Sequence, residues 1–296
     1  MKGLRAVYLM LPLVAGALVV CAVIIETETG QPPSLAGAPQ SATHPTTASS
    51  ATATASAPPA TLYDVTLFKG KPARGLGMRR DADIIYGNDG SVWKDQAKLS
   101  AVVQTMARNG ARIIVIDNET GDLPELVRNV RWAKTAAPKV SIGVFGYPWY
   151  LFFRSAAENQ AVNDSRRSLL DLLDVALPNS YSVFGIHSPA TFKQWDDWLI
   201  QTIKECERVM PGKPIYPFLQ MYYPPESVSN QLELIESSYF LQQVRECLSR
   251  ASGAMIWSGP LQWDEKSPWY HDLVKERFAQ PDQTAPAPQT GSVPPQ

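Results

Sequence analysis

Between residues 64 and 278, short runs of β-branched and apolar residues alternate with amphipathic stretches, and this alternation constrains the fold more than any other feature. Candidate strands are Asp64 to Phe68, Ala82 to Tyr86, Arg112 to Asp117, Val140 to Tyr147, Tyr181 to Ile186, Pro214 to Tyr222 and Gly253 to Trp257. Candidate helices lie between them, over Trp93 to Asn109, Leu123 to Ala137, Ser165 to Val175, Thr191 to Met210, Gln231 to Ala251 and Pro268 to Phe278. Strand, helix and strand in repeated order imply parallel pairing with the helices outside. An open doubly wound sheet and a closed barrel both satisfy that order. No Gly-rich phosphate loop follows the first strand, and Gly75-Leu76-Gly77 is too short to supply one, so a nucleotide-binding open sheet loses its main signature. Polar and aromatic residues instead collect at strand ends: Tyr86 with Asn88, Asp117 with Glu119, Tyr147 with Trp149, His187, Tyr222 with Tyr223, and Trp257. In a barrel such carboxyl ends meet at one mouth, where active sites sit. The expected fold class is therefore α/β, a TIM-type barrel, distorted or incomplete because seven strands are counted rather than eight.

The aromatic residues mark the folded part. All but Tyr8 fall between Tyr63 and Phe278, which sets a barrel domain at residues 62–278. Ahead of it, residues 6–25 are uncharged and apolar, with Lys2 and Arg5 before them and Glu26 and Glu28 after. At about 1.5 Å rise per residue this stretch is long enough to cross a bilayer, and the flanking charges favour a cytoplasmic amino terminus with the rest exported. Residues 1–29 thus read as a signal anchor, which would make the membrane a partner through residues 6–25. A cleaved signal peptide is the competing reading, and a lipid-modified Cys21 is disfavoured because Leu18-Val19-Val20 lacks the required small residue. Residues 30–61 are mostly Ala, Ser, Thr, Pro, Gln and Gly, and residues 279–296 repeat the pattern with Pro and Gln. Both have too little apolar surface to offset the entropy of ordering and are expected to be disordered.

Charge and ligand residues narrow the chemistry. Setting aside Lys2, Arg5, Glu26, Glu28 and Asp282, the 27 basic and 28 acidic residues of the chain reduce to 25 of each. A neutral domain is poorly suited to nucleic acid, which needs a basic face to displace counterions. His44, His187 and His271 are scattered with no His or Cys at ligand spacing, so neither a metal nor another cofactor is expected. Cys206 and Cys247 fall in two helical segments, where an exported location permits a disulfide and burial as free thiols is the alternative.

The segment Ile113-Ile114-Val115-Ile116-Asp117-Asn118-Glu119 carries the most information. Four apolar β-formers read as a strand buried on both faces, after which the polarity changes abruptly. Side chains alternate along a strand, so Asp117 and Glu119 would point the same way, roughly 6 to 7 Å apart. Two carboxylates that close cannot both ionise freely, so one keeps its proton and can act as a general acid, as glycosidic bond cleavage requires. The plainer alternative makes Asp117 the cap of the helix beginning near Leu123.

The Asp-x-Glu at a strand end resembles that of the hyaluronidases, glycoside hydrolase family 56, and of the related family 18 chitinases. Further segments are similar in the same order: Ile84 to Asn88, Gly146-Tyr147-Pro148, Pro217 to Tyr223 and Gly253 to Trp257. The resemblance implies a hydrolase with Glu119 as general acid/base and Asp117 steadying the substrate's own acetamido group, a substrate-assisted route with retention. It also implies glycan contacts from Tyr223, which aligns with an acetamido-binding tyrosine, from Trp257 as the floor under the reactive sugar, and from Tyr181. Tyr147, Tyr222 and Trp149 at the same mouth complete the candidate substrate-binding set. Where the family usually has Trp between the acids, this chain has Asn118, and no basic cluster stands near the mouth to recognise a strongly anionic polymer. The partner implied is a polysaccharide or oligosaccharide containing N-acetylhexosamine, met in the periplasm or outside the cell. A catalytically silent glycan-binding barrel and a structural envelope protein are the other classes of reading.

The remaining aromatics divide by position. Trp195 and Trp198, at i, i+3 on a helix, are expected in the core, as is Tyr216. Trp149, Tyr150, Phe152 and Phe153 form a dense loop after a strand end, placed to wall a subsite. His187 reads as structural or as a substrate contact rather than as a catalyst.

Overall fold

The computed structural model describes residues 60–64, 79, 81–86, 90–118, 122–185, 187–223 and 234–257. Six strands form two three-stranded sheets, every pair parallel. One sheet orders β1 (Thr61–Asp64), β6 (Gly253–Trp257) and β5 (Phe218–Gln220); the other orders β2 (Ala82–Tyr86), β3 (Ile113–Asp117) and β4 (Ser141–Val144). The helices are α1 (Ser91–Lys94), α2 (Gln96–Arg108), α3 (Leu123–Ala136), α4 (Ala156–Asp164), α5 (Arg167–Leu170), α6 (Pro189–Val209) and α7 (Ser237–Arg250).

The expected alternation and parallel pairing are present, but among the described residues the strands form two sheets rather than one continuous closed barrel. The largest local correction concerns the expected strand over Tyr181 to Ile186. The sheet-pairing segment lies earlier, at residues 174–180, and bonds through its backbone to both sides, bridging Ile215 and Phe218 in parallel. Asp174 N–H donates to Ile142 O and Gly146 N–H to Leu177 O, while Ala176 N–H donates to Pro214 O and Ser180 N–H to Phe218 O, all at 2.8 to 3.0 Å. Pro178 has no N–H to give, so a regular ladder cannot run through it. The Leu spacing over Ser165 to Val175 imitates a helix, yet only α5 forms there. On the opposite flank Tyr63 bridges Arg79 in parallel, just ahead of β2.

Two apolar clusters lie on the two faces of the strands. The outer one joins Leu62, Ile85, Ile114, Ile116, Ile142, Val144, Leu219 and Ile256 to the helices. The inner one gathers Tyr63, Ile84, Ile113, Val115, Val175, Leu177, Tyr216, Phe218 and Met255. Glycine permits two tight approaches, at Gly143 on the inner face and at Gly253 against the backbone of the neighbouring strand β1. A Cβ on Gly143 would stand 2.4 Å from Leu177 Cδ1 and 2.7 Å from Val175 Cγ2, and one on Gly253 would meet Thr61 O at 1.7 Å.

Helix starts follow the sequence. Asp95 ends α1 and caps α2 by accepting from Ala97 and Lys98 N–H, which splits the single helix expected over Trp93 to Asn109. Ser155 and Glu158 form a capping box on α4, and Ser188 caps α6. Trp195 and Trp198 are buried as expected, their indole N–H groups donating to Ser180 O and Tyr150 O. Cys206 and Cys247 are both free and fully buried, so the disulfide option is not realised, and burial pushes both thiols upward.

The membrane-spanning reading is corrected. No helix among the described residues is long and apolar enough to cross a membrane. The longest, α6, has the length but carries Lys193, Asp196, Asp197, Lys204, Glu205, Glu207 and Arg208. Residues 6–25, on which that reading rested, lie outside the described residues, and the anchor is withdrawn. Residues 30–59 of the expected linker, the carboxyl-terminal tail and the helix expected over Pro268 to Phe278 also lie outside them, while Thr61, placed in the linker, instead opens β1 and pairs with Gly253.

Candidate active site

The β3 end is built as a switch of polarity. Ile113 and Val115 face the inner cluster, and Ile114 and Ile116 face the outer one. Alternation then sets Asp117 on the inner face and Asn118 on the outer. Asn118 is buried and its Nδ2 donates to Glu125 Oε1 at 2.8 Å, tying the strand end to the first turn of α3. The cap of α3 is Asp122, which accepts from Glu125 N–H, so Asp117 is not that helix's cap. Asp117 is half-buried, and its Cα pairs with that of Tyr86. Glu119 lies outside the described residues.

An aromatic layer continues the inner face at the same end. Phe145 N–H donates to Ile116 O at 3.0 Å, which brings Phe145 alongside Asp117. Phe145 packs on Tyr181 with centroids 5.9 Å apart, and Tyr181 stacks on Trp257 at 6.1 Å with 11° between the planes. Both Tyr181 and Trp257 pack against the inner cluster. Trp257 in turn has Gln220 as its Cα partner on β5. The fold therefore assembles Asp117, Tyr181 and Trp257 at one end of one face. It adds Phe145 and Gln220, which sequence reasoning missed although strand alternation from Gly143 and Phe218 could have found them.

The two adjacent tyrosines after β5 separate. Phe218 is inner and Leu219 outer, so alternation carries Tyr222 with the inner set and Tyr223 with the outer. Tyr223 packs in the outer cluster, where its hydroxyl accepts from His187 N–H at 2.9 Å and donates to Glu236 Oε2. Burial first, then that bond to Glu236, holds its phenol well above the ordinary range. His187 stacks on Tyr239 with centroids 4.4 Å apart, in line with a structural role.

Tyr147 and Trp149 form a separate group on the helix side. They pack with the outer cluster, 5.3 Å apart, and the Arg166 guanidinium lies 3.7 Å from the Trp149 ring centroid and 5.5 Å from that of Tyr147. Burial raises the Tyr147 phenol, partly offset by Arg166. Asn163 fixes the loop by accepting from Trp149 N–H at 3.0 Å and donating to Trp149 O at 2.7 Å. It also donates to the buried Glu205, which Arg208 holds at 2.7 and 2.8 Å. Beyond this clamp Phe152 and Phe153 are exposed, at 42% and 37%. No cluster of three or more metal-ligating side chains occurs among the described residues.

No protein-family model matches the chain, and no curated sequence does. Solved structures do. Bee venom hyaluronidase is similar at 15% identity and a TM-score of 0.51, over 73% of this chain and 95% of that one. The same enzyme in complex with a hyaluronic acid tetramer is similar at 14% identity and a TM-score of 0.52, over 68% and 90%. At these identities the likeness is one of fold.

Proposed function

We propose that the chain is a glycoside hydrolase built on one TIM-type barrel, in which the segment 174–180 is a seventh stave between β4 and β5. The backbone bonds along that segment and the Tyr63–Arg79 bridge on the other flank support closure. So does the fold shared with a hyaluronidase. The observation that carries the function is an acid on the inner face at the carboxyl end of β3, beside the stacked pair of Tyr181 and Trp257. This is where a barrel gathers its catalytic groups, and an aromatic floor suits the apolar face of a pyranose.

In the mechanism, Glu119, two residues along the chain from Asp117, protonates the leaving glycosidic oxygen. Asp117 steadies the substrate's acetamido group as it attacks the anomeric carbon, which gives retention without a protein nucleophile. Among the described residues that end the inner face there is no Lys or Arg, which favours a glycan with neutral N-acetylhexosamine units at the reacting position. A hyaluronidase of similar fold has been solved in complex with a hyaluronic acid tetramer, which supports a glycan as the ligand class. Secretion completes the proposal, resting on Lys2 and Arg5 ahead of the apolar stretch. Glu119→Gln is the test: turnover of a cleaved N-acetylated oligosaccharide should fall by at least about 10² with binding retained, the size of a lost general acid. Equal turnover in variant and wild type would remove the mechanism.

A further inference from the structure

Gln220 is the polar side chain that the site described above leaves without a role. It ends β5, is 8% exposed, and by alternation from Phe218 shares the inner face. Its Cα pairs across the sheet with that of Trp257, whose ring stacks on Tyr181. Among the described residues its amide makes no hydrogen bond, as is also true of the fully buried Asn129, whereas Asn118, Asn159, Asn163 and Gln243 are each held by at least one. Unlike the Asn129 amide, which is sealed in the core, that of Gln220 keeps contact with solvent, where water or a ligand can meet it.

We infer that Gln220 contacts the bound sugar, giving and accepting hydrogen bonds with a neutral substituent on the edge of the ring that lies on Trp257. The inference rests on the proposed glycan function of this end of the strands. A pyranose flat on an indole turns its C–H groups to the aromatic face and its substituents outward. A side chain on the next strand, about 4.8 Å away, stands beside that edge rather than beneath the ring. The primary amide offers an acceptor and two donors in one plane, which a hydroxyl or an acetamido group satisfies on both sides. A carboxylate would engage only the Nε2 hydrogens and face the carbonyl oxygen with negative charge.

The test compares the full chain with its Gln220→Leu variant, titrated calorimetrically with a β-1,4-linked N-acetylglucosamine tetramer and with the glucose tetramer of the same linkage. The variant should bind about tenfold more weakly, the loss expected for one or two neutral hydrogen bonds. Its thermal midpoint should stay level, because the amide that is removed makes no hydrogen bond among the described residues. A structural glutamine would lower it. Loss confined to the N-acetylated tetramer identifies the acetamido group as the substituent, and equal loss on both tetramers identifies hydroxyls. Wild-type affinity in the variant for a tetramer that the wild type binds overturns the inference and leaves the proposed function standing. Failure of the wild type to bind either tetramer overturns both.

Discussion

On the outer face of the strands, polar side chains near the strand ends are tied to a neighbour: Asn118 to Glu125, Tyr223 to Glu236, Ser182 to Gln243, and Asn163 to Glu205 with Arg208. On the inner face the same end carries Asp117 and Gln220 beside a stacked aromatic pair, and the Gln220 amide has no such tie. The outer arrangement fixes helices to sheets through these ties, which is what stability asks for, although the Asn129 amide and the Tyr147 hydroxyl are buried there without a partner among the described residues. The inner arrangement leaves hydrogen-bonding capacity and flat apolar surface together, which is what a sugar asks for. One step along the backbone moves a residue from one regime to the other, as with Asp117 and Asn118.

If the inner face is as closely packed below its mouth as the glycines indicate, enlarging them should cost the most. Gly253 has φ +152 and Thr61 O where a Cβ would be. Because that obstacle is backbone, no rotamer relieves it, and Gly253→Ala should lower unfolding free energy by about 3 kcal/mol or more. Gly143→Val presses on the Leu177 and Val175 side chains, which can give somewhat, and should cost about 1–3 kcal/mol. Urea unfolding of both variants checks this. Wild-type stability in Gly143→Val would mean the inner cluster has room, and the contrast between the faces would weaken.

The sequence made the element types legible because period and punctuation were strong. Ile113 to Asp117 has four β-formers and then an acid, and Leu123 begins a helix behind Asp122 and ahead of Pro124. It failed at residues 165–180, where Leu169, Leu170 and Leu173 imitate a helix and Pro178 conceals a segment that pairs through isolated parallel bridges. For the site, Asp117 and Trp257 were legible as strand-end residues, whereas Tyr181 stood at the start of an expected strand and entered only through the family resemblance. The facing of Tyr223 was not, since a one-residue shift of register reverses the face and a pair of tyrosines gives no internal signal for which one turns inward.

The outer tyrosines should appear in the response to alkali. Burial raises Tyr239 from its ordinary value to about 12, and Tyr223 is raised as well. A folded-state value above the unfolded one contributes stability that is fully present below pH 10 and is lost as pH climbs toward 12. For Tyr239 the two-unit shift corresponds to about 2–3 kcal/mol across that window. Unfolding free energy measured from pH 9 to 12 should therefore fall, and Tyr239→Phe should flatten the decline. An unchanged slope in that variant would mean that this phenol is less shielded than its packing against His187 and Phe192 implies.

The neighbouring tyrosines give the most discriminating comparison, although the energies are the smallest. Tyr223→Phe deprives the His187 N–H of its acceptor and Glu236 of its donor, so it should cost about 1–2 kcal/mol of stability. Its effect on turnover should be smaller than that of Tyr222→Phe. Tyr222, carried to the inner face with Phe218 and Gln220, should show the reverse pattern, with kcat/KM reduced and the thermal midpoint little changed. Measuring both quantities on both variants separates the faces in a way neither quantity does alone, because each substitution removes the same single oxygen from a buried ring. Should the two patterns exchange, the register after β5 would differ by one residue from the alternation argued from Phe218, and Tyr223 rather than Tyr222 would belong to the inner face.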